Sequence, residues 1–415
     1  MIIYKKILPL ILMSSLASTS CQTSEQLYNQ GCQCIAQKQF DNALALFQEA
    51  IATNPWNYDA AYNCAYILKQ QSRMYEAIPY YLNVLEKKPD HAHAHIGLAQ
   101  AYLATGNVEQ GFSELGWRFN SPNVYAQEAK DYLTSGKTFK HKIVLIRAEW
   151  GIGDTIWLLR YAQLIKQQGG IVKLAPLHKA IVPLLKEHPY IDELIEPGVP
   201  LPPFHFMIPM ISLPFVFGTT LATIPHDIPY LWADKQRAMQ WKEKIPNNKK
   251  FNIGICWAGN NIHDPQKFMP LSYFAQLASI NTIGLYSLQK KDALDQITDL
   301  DDQNALITFG PDFDAQPFMD TAALMQHLDL VITVDTSIAH LAGALGIATL
   351  VILPYAADWR WMQSIKTETG SSIEFSPWYP TMKLFRQPKP GDWEGVIASI
   401  KRELVHILAT KRGRA

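Results

Sequence analysis

Asp335, Thr336 and Ser337 stand between a β-type run, 330–334, and an alanine-rich segment, 338–345, that Gly346 stops. A second β-branched run, 349–353, follows at once. Strand, turn, helix and strand in so short a span make a βαβ unit of a parallel sheet. Thr336 or Ser337 caps the helix. The first N–H groups, those of Thr336, Ser337 and Ile338, then face the carboxyl edge of the sheet together with the helix's partial positive charge. Such a setting suits a phosphate. Many units of this kind bind nothing, so an ordinary capped βαβ unit is the alternative reading. His340 falls one turn into the helix among apolar neighbours, where packing competes with ligand contact.

Gly151-Ile152-Gly153-Asp154 is the second such stretch. Two glycines let the backbone pass close to a ligand. Asp154 stands where a carboxylate serves either a reacting group or the start of a helix. The third glycine of a dinucleotide fingerprint is missing. Lys267, in a loop 262–269 that also carries His263 and Asp264, offers a cation to a phosphate or is a surface lysine.

The elements that must position these groups alternate. Strands are expected at 143–147, 171–175 and 191–195, with helices at 155–168 and 177–187 between them. A proline-rich segment, 200–232, wraps this first half, and a helix at 233–244 closes it. The second half opens on the buried strand FNIGICW, 251–257. It continues through a helix at 270–277, a strand at 282–288, a helix at 290–299, a strand at 305–309 and a helix at 320–327. Alternation of this kind gives parallel sheets covered by helices. Seven prolines in 200–232 exclude a membrane helix there.

The segment DTSIAHLAGALG, 335–346, resembles the C-terminal nucleotide-sugar motif of the ADP-heptose:lipopolysaccharide heptosyltransferases, glycosyltransferase family 9. Ala148 to Asp154 resembles that family's glycine-rich N-terminal loop ending in Asp. From about residue 24 to 405 the chain resembles bacterial proteins that join tetratricopeptide repeats to such a domain. In those, segments like LPPFHFMIPMISLPFVFGTTLATIPHDIPYL, DWRW and SPWYPTMKLFRQPKPGDW recur in the same order.

The resemblance implies a helical repeat array followed by the α/β GT-B fold, two Rossmann-like lobes with parallel sheets. It implies inverting, metal-independent transfer of a sugar, a heptose among the candidates, from a nucleoside-diphosphate donor held by the second lobe. Lys267 matches the family's phosphate-binding basic residue, although the loop here is shortened and altered. Asp335 matches an Asp that contacts the sugar, with a loop-holding role as the alternative. Asp154 matches the Asp that deprotonates the acceptor. The acceptor is left open: a saccharide, free or lipid-linked, a protein side chain or a small molecule. Trp257, Trp359 and Trp361 either stack on the donor or belong to the core. The last helix, 393–409, is expected to cross back toward the first lobe, as in two-lobed transferases of this kind. The rival reading is an interaction protein whose repeats bind a partner and whose transferase-like part is inactive or only holds a ligand.

Bulk properties narrow the field. With 37 basic and 37 acidic residues the formal net charge is zero, and no basic stripe points to nucleic acid. Asp312-Phe313-Asp314 and the acids of 299–302 lie away from the motifs, and no cofactor or metal is expected. Five cysteines, at 21, 32, 34, 64 and 256, complete no zinc site and are read as free thiols. Residues 1–23 carry Lys5 and Lys6, an apolar run 7–13 and small residues before Cys21. They resemble a secretory or lipoprotein signal, with Ser18 where a Leu is usual, or an uncleaved anchor. A cytoplasmic or inner-membrane-associated protein is expected, with export or lipidation left open.

Residues 24–120 repeat with a 34-residue period. Gly31, Ala65 and Ala99 fall in register, as do Ala43, Ala77 and Gly111, and Phe47, Tyr81 and Leu115. Small residues where helices touch and an aromatic at the next contact are the marks of tetratricopeptide repeats. The third repeat is degenerate and is expected to dock on the α/β part of the chain. The array offers a groove to a protein partner or simply caps the rest. The expected units are thus the signal-like segment 1–23, repeats 24–120, a connector 121–142, a first lobe 143–245 on the acceptor side and a second lobe 251–415 on the nucleotide-sugar side.

Overall fold

The computed structural model describes residues 22–120, 124–246, 250–259, 267–302, 305–310, 313, 317–363 and 375–412. The signal-like residues 1–21, the loop residues His263 and Asp264, and the acids Asp312 and Asp314 lie outside these.

Three helical hairpins come first: α1 (Ser24–Ala36) with α2 (Phe40–Thr53), α3 (Tyr58–Gln70) with α4 (Met74–Lys87), and α5 (Ala92–Ala104) with α6 (Val108–Glu114). The registered small residues explain the pairing. A Cβ on Gly31 would lie 2.6 Å from the Phe47 ring, so the α1–α2 contact needs glycine there. A 3₁₀ turn, Leu115–Phe119, ends the array, and α7 (Val124–Thr134) leads to the first lobe.

The first lobe holds β1 (Ile143–Arg147), α8 (Ile152–Leu158), α9 (Arg160–Gln167), β2 (Ile171–Ala175), a one-turn α10 (Val182–Leu185), β3 (Glu193–Leu194), β4 (Phe206–Pro209) and a one-turn α11 (Leu213–Val216). All pairings are parallel, in the order β3-β2-β1-β4. The strand β4 lies inside the proline-rich segment, where no strand was expected. Prolines are tolerated because β4 is an edge strand and Pro209 is its last residue. The expected helix 177–187 shrinks to a 3₁₀ turn and α10.

Next comes α12 (Lys235–Lys244), which packs on the second lobe and not on the first, as the boundary at 245 had implied. Arg237 Nη1 and Trp241 Nε1 both donate to Asp320 Oδ1, at 2.7 and 2.9 Å. The Trp241 ring meets Phe309 and Phe313 edge-on. The backbone crosses between lobes just before, where the Tyr230 N–H donates to the Ala344 carbonyl at 3.0 Å.

The second lobe holds β5 (Phe251–Cys256), α13 (Leu271–Ala275), β6 (Ile283–Ser287), α14 (Met319–Met325), β7 (Leu330–Val334), α15 (Ser337–Ala344), β8 (Thr349–Leu353), β9 (Met382–Arg386) and α16 (Trp393–Arg412). Its strands are parallel in the order β6-β5-β7-β8-β9. Every residue of β7 and β8 is buried, as central strands covered on both faces require. The expected helix at 290–299 is only a 3₁₀ turn, Leu294–Ile297, and the expected strand at 305–309 a single bridge from Ile307 to Tyr286. The last helix does not cross back. Val396, Ile397, Ile400 and Leu404 pack on the second lobe's own sheet with Phe274, Leu277 and Ile352, which uses up its apolar stripe.

The opposite face of this sheet belongs to a core that runs on through the first lobe into α5 and α6. Phe112 of α6 meets the rings of Trp157 from the first lobe and Trp359 and Trp378 from the second. Among the described residues no helix is long and apolar enough to cross a membrane.

Candidate functional site

In each lobe the strand order reverses beside the first strand, and ligands of open parallel sheets enter at such a reversal, outside the carboxyl ends. In the second lobe the reversal lies between β5 and β7. The residues beyond those strands are Trp257 to Gly259 and Asp335 to Ser337. In the first lobe it lies between β1 and β4, and the residues beyond β1 are Ala148 to Asp154.

The turn after β5 is held by a buried glutamine. Gln289 Oε1 accepts from the Trp257 and Ala258 N–H groups at 3.1 and 3.0 Å, and its Nε2 donates to the Ala258 carbonyl at 3.0 Å. The Gly259 N–H donates to the Lys267 carbonyl at 3.1 Å, which brings Lys267 back to the reversal point. Its Nζ lies 2.6 Å from Asp335 Oδ2, off the line of a good hydrogen bond, so the contact is an ion pair. Burial works against the Lys267 charge, but Asp335 and Asp358 outweigh it and hold its pKa above the usual lysine value. Thr336 caps α15, its Oγ1 accepting from the Ile338 N–H at 3.2 Å.

The glycine loop of the first lobe lies directly against this helix start. A Cβ built on Gly153 would be 2.9 Å from His340 Cδ2 and 3.5 Å from Ser337 Cα. Gly153 therefore permits the close approach of one lobe to the other. Gly151 is different: it is the N-cap of α8, extended at φ −94°, and its N–H donates to Asp154 Oδ2 at 3.0 Å. Trp150 precedes it at φ +57°, a left-handed conformation that a tryptophan adopts only where its surroundings impose it. Its carbonyl accepts from His178 Nε2 at 2.8 Å.

Arg360, from the Asp-Trp-Arg-Trp run beyond β8, reaches the glycine loop from the second lobe. Its Nε and Nη2 both reach Asp154 Oδ1, at 2.8 and 2.7 Å, and its Nη1 donates to Asp358 Oδ1 at 2.8 Å. The guanidinium lies 4.2 Å from the Trp359 ring centre and 5.2 Å from that of Trp150. Burial would raise the pKa of Asp358, but Arg360 and Lys267 hold it below the carboxylate range. From the helical array, Lys69 Nζ donates to Gln100 Oε1 at 2.6 Å; burial lowers its pKa, and Asp358 opposes that. All three parts of the molecule thus contribute charge to one cleft.

His340 is buried and neutral. Its Nδ1 is 3.0 Å from the Tyr379 hydroxyl and its ring stacks on Trp361, and burial pushes its pKa down to about 3. These contacts are those of a packed side chain. Trp257, Trp359 and Trp361 are buried as well, which favours the core over stacking on a ligand.

Of the residues nominated from sequence, Gly153, Asp154, Lys267, Asp335, Thr336, Ser337, Ile338 and His340 meet at this cleft. Gly151 stands one step back as a cap. Arg360, Asp358 and Lys69 were missed. The Asp-Trp-Arg-Trp run at the carboxyl end of a strand was the available signal for the first two; Lys69 had none. Among the described residues no group of three or more His, Cys, Asp or Glu side chains is arranged to hold a metal.

The tetratricopeptide repeat model matches residues 35–78 and 68–111, which run from the end of α1 into α6. The helical hairpins are tetratricopeptide repeats. The chain is also similar to protein FlbA of Caulobacter vibrioides, 23% identical over 339 residues, which covers 74% of this chain and 54% of that protein. The chain therefore spans about half the length of this curated relative. Two solved structures of transferases are similar over much of the chain. One is the E. coli ADP-heptose lps heptosyltransferase II, at 12% identity over 65% of this chain and 99% of that one, with a TM-score of 0.45. The other is a glycosyl transferase family 9 protein of Veillonella parvula, at 12% identity over 60% and 86%, with a TM-score of 0.42. Likenesses so distant fix neither activity nor substrate.

Proposed function

We propose that this chain transfers a sugar from a nucleoside-diphosphate donor to an acceptor hydroxyl in the cleft between its lobes. The observation that carries the reading is the confrontation of a carboxylate and a helix start across the two reversal points. Asp154 lies in the first turn of α8 on one side, Ser337 opens α15 on the other, and Gly153 of the loop lies against Ser337. Departure of the diphosphate builds negative charge, which the N–H groups of α15, the Ser337 hydroxyl and Lys267 are placed to stabilise. The acceptor oxygen attacks the anomeric carbon from the opposite face as the bond to the diphosphate breaks, and Asp154 takes its proton. The acceptor enters over the first lobe, where a hollow of about 190 Å³ is lined by Arg147, Ala148, Ala175, Leu177 and Leu201. The resemblance to heptosyltransferases in the 335–346 motif supports the same reading, and metal-free inversion comes with it.

The test is release of nucleoside diphosphate from a panel of sugar nucleotides, with lipid-linked saccharides and polypeptides as acceptors. Asp154→Asn should lower kcat by roughly 10²-fold or more. Turnover at the wild-type rate would remove Asp154 as the base. Two observations favour a second reading, a ligand-holding or scaffold role. Lys267 and Arg360 are each already paired with carboxylates, and the tetratricopeptide array is bonded to the catalytic-like lobes. Absence of release with every donor, alongside a partner bound by the repeats, would favour it.

A further inference from the structure

We infer that Arg360 is a shared cation: Asp154 holds it in the free protein, and the diphosphate of an incoming donor takes it, which frees Asp154 to act as the base. The inference rests on the reading above and adds to it a cation, and an order of events, that the sequence motifs do not contain.

The geometry of the pair carries the argument. A guanidinium and a carboxylate pair best as two parallel N–H to oxygen bonds, one to each oxygen. Here both Nε and Nη2 converge on the single atom Asp154 Oδ1, at 2.8 and 2.7 Å. The other oxygen, Oδ2, is engaged by the Gly151 N–H. The Nε–Nη2 edge of Arg360 therefore lacks a two-oxygen partner, and a diphosphate supplies one. Asp358 holds Nη1, and the Trp359 ring lies under the plane, so the head can exchange one edge while the other stays anchored. Arg360 also comes from the lobe that carries Lys267 and Ser337, and it lies within electrostatic range of Lys267 and Asp335. A donor seated there meets Arg360 without a change of lobe. While Arg360 sits on Oδ1, two donors occupy that oxygen and it has no open side for the acceptor's proton. Once the diphosphate has drawn that edge away, the oxygen is open.

The prediction separates an exchanged cation from a structural tie, because the two partners should act in opposite senses. Full-length protein is titrated calorimetrically with ADP, GDP, UDP and CDP, and with the matching monophosphates. For the diphosphate that binds, Arg360→Gln should weaken affinity by ~10-fold or more, and Asp154→Asn should strengthen it by ~5-fold or more, since the competitor for Arg360 is gone. Asparagine can still accept from Gly151, so the helix start survives. The monophosphate should respond little to Arg360→Gln. The double variant should match Arg360→Gln, with the gain from Asp154→Asn abolished. If Arg360→Gln does not fold, Arg360→Lys replaces it and should show a smaller loss of the same sign.

A structural tie alone predicts that both single variants weaken binding. Weaker or unchanged binding in Asp154→Asn overturns the inference, as does unchanged diphosphate binding in Arg360→Gln, while the donor reading stands. No diphosphate bound by wild type or Asp154→Asn overturns both.

Discussion

Replacing Gly153 with alanine tests the contact on which the cleft depends. The added Cβ would lie 2.9 Å from His340 Cδ2, and ordinary carbon contacts begin near 3.5 Å. One side must move by about 0.6 Å. His340 has little freedom to give, since its Nδ1 is 3.0 Å from the Tyr379 hydroxyl and its ring stacks 5.2 Å from Trp361. The strain falls on the lobe contact and should cost about 1–3 kcal/mol. Gly151→Ala is the internal control. Its Cβ would meet Asp154 Oδ2 at 3.5 Å and the Gly153 nitrogen at 4.0 Å, both ordinary contacts, in an extended backbone that alanine adopts freely, so a change below about 0.5 kcal/mol is expected. Urea unfolding followed by tryptophan fluorescence measures both. Equal losses in the two variants, or none in Gly153→Ala, would refute the claim that one glycine serves the lobe contact and the other a helix start.

Two further perturbations have outcomes set by the same packing. His340 has its pKa lowered to about 3 by burial, from 6.5, so the unfolded chain binds more protons than the folded one between those values. Stability should be full above pH 6.5 and fall as pH drops toward 3. His340→Gln should reduce that slope without abolishing it, because buried His188 shifts in the same direction; unfolding free energies across the range decide. Arg118→Ala removes the pair with Glu149, at 2.8 Å and well buried on both sides, and leaves a carboxylate stranded beside the glycine loop. The expected loss is about 3 kcal/mol, and a cycle with Glu149→Gln should be strongly non-additive.

What the sequence made legible was local. The 34-residue period placed the paired helices because small and aromatic residues must meet at fixed registers. The run from Leu330 to Leu353 read as strand, helix, strand because its periodicity changes sharply at Asp335 and Gly346, and the structure has β7, α15 and β8 there. Two of the four edge strands escaped notice: β4 hides among prolines that a central strand would not accept, and β9 is only five residues long and carries two basic side chains, Lys383 and Arg386. Partners distant in the chain escaped as well. Asp154 read as a base or a cap, but nothing near it announced Arg360, which is 206 residues away. The direction of α16 was expected from likeness to other two-lobed proteins, and the lobe it covers was decided by which apolar face lay within reach.

The docking of the third hairpin also governs the order in which the protein can be completed. A ribosome releases Phe112 long before it makes Trp359 and Trp378, the rings that Phe112 will meet. Ser72 must wait for Gln363, 291 residues later, before their side chains can bond at 3.0 Å. Until then the newborn array presents an aromatic surface with nothing to cover it, a natural place for a chaperone to hold. Cutting the gene after the array would leave that surface bare on one product and Trp157, Trp359 and Trp378 bare on the other. The two halves are therefore expected to be inherited, expressed and degraded as one piece.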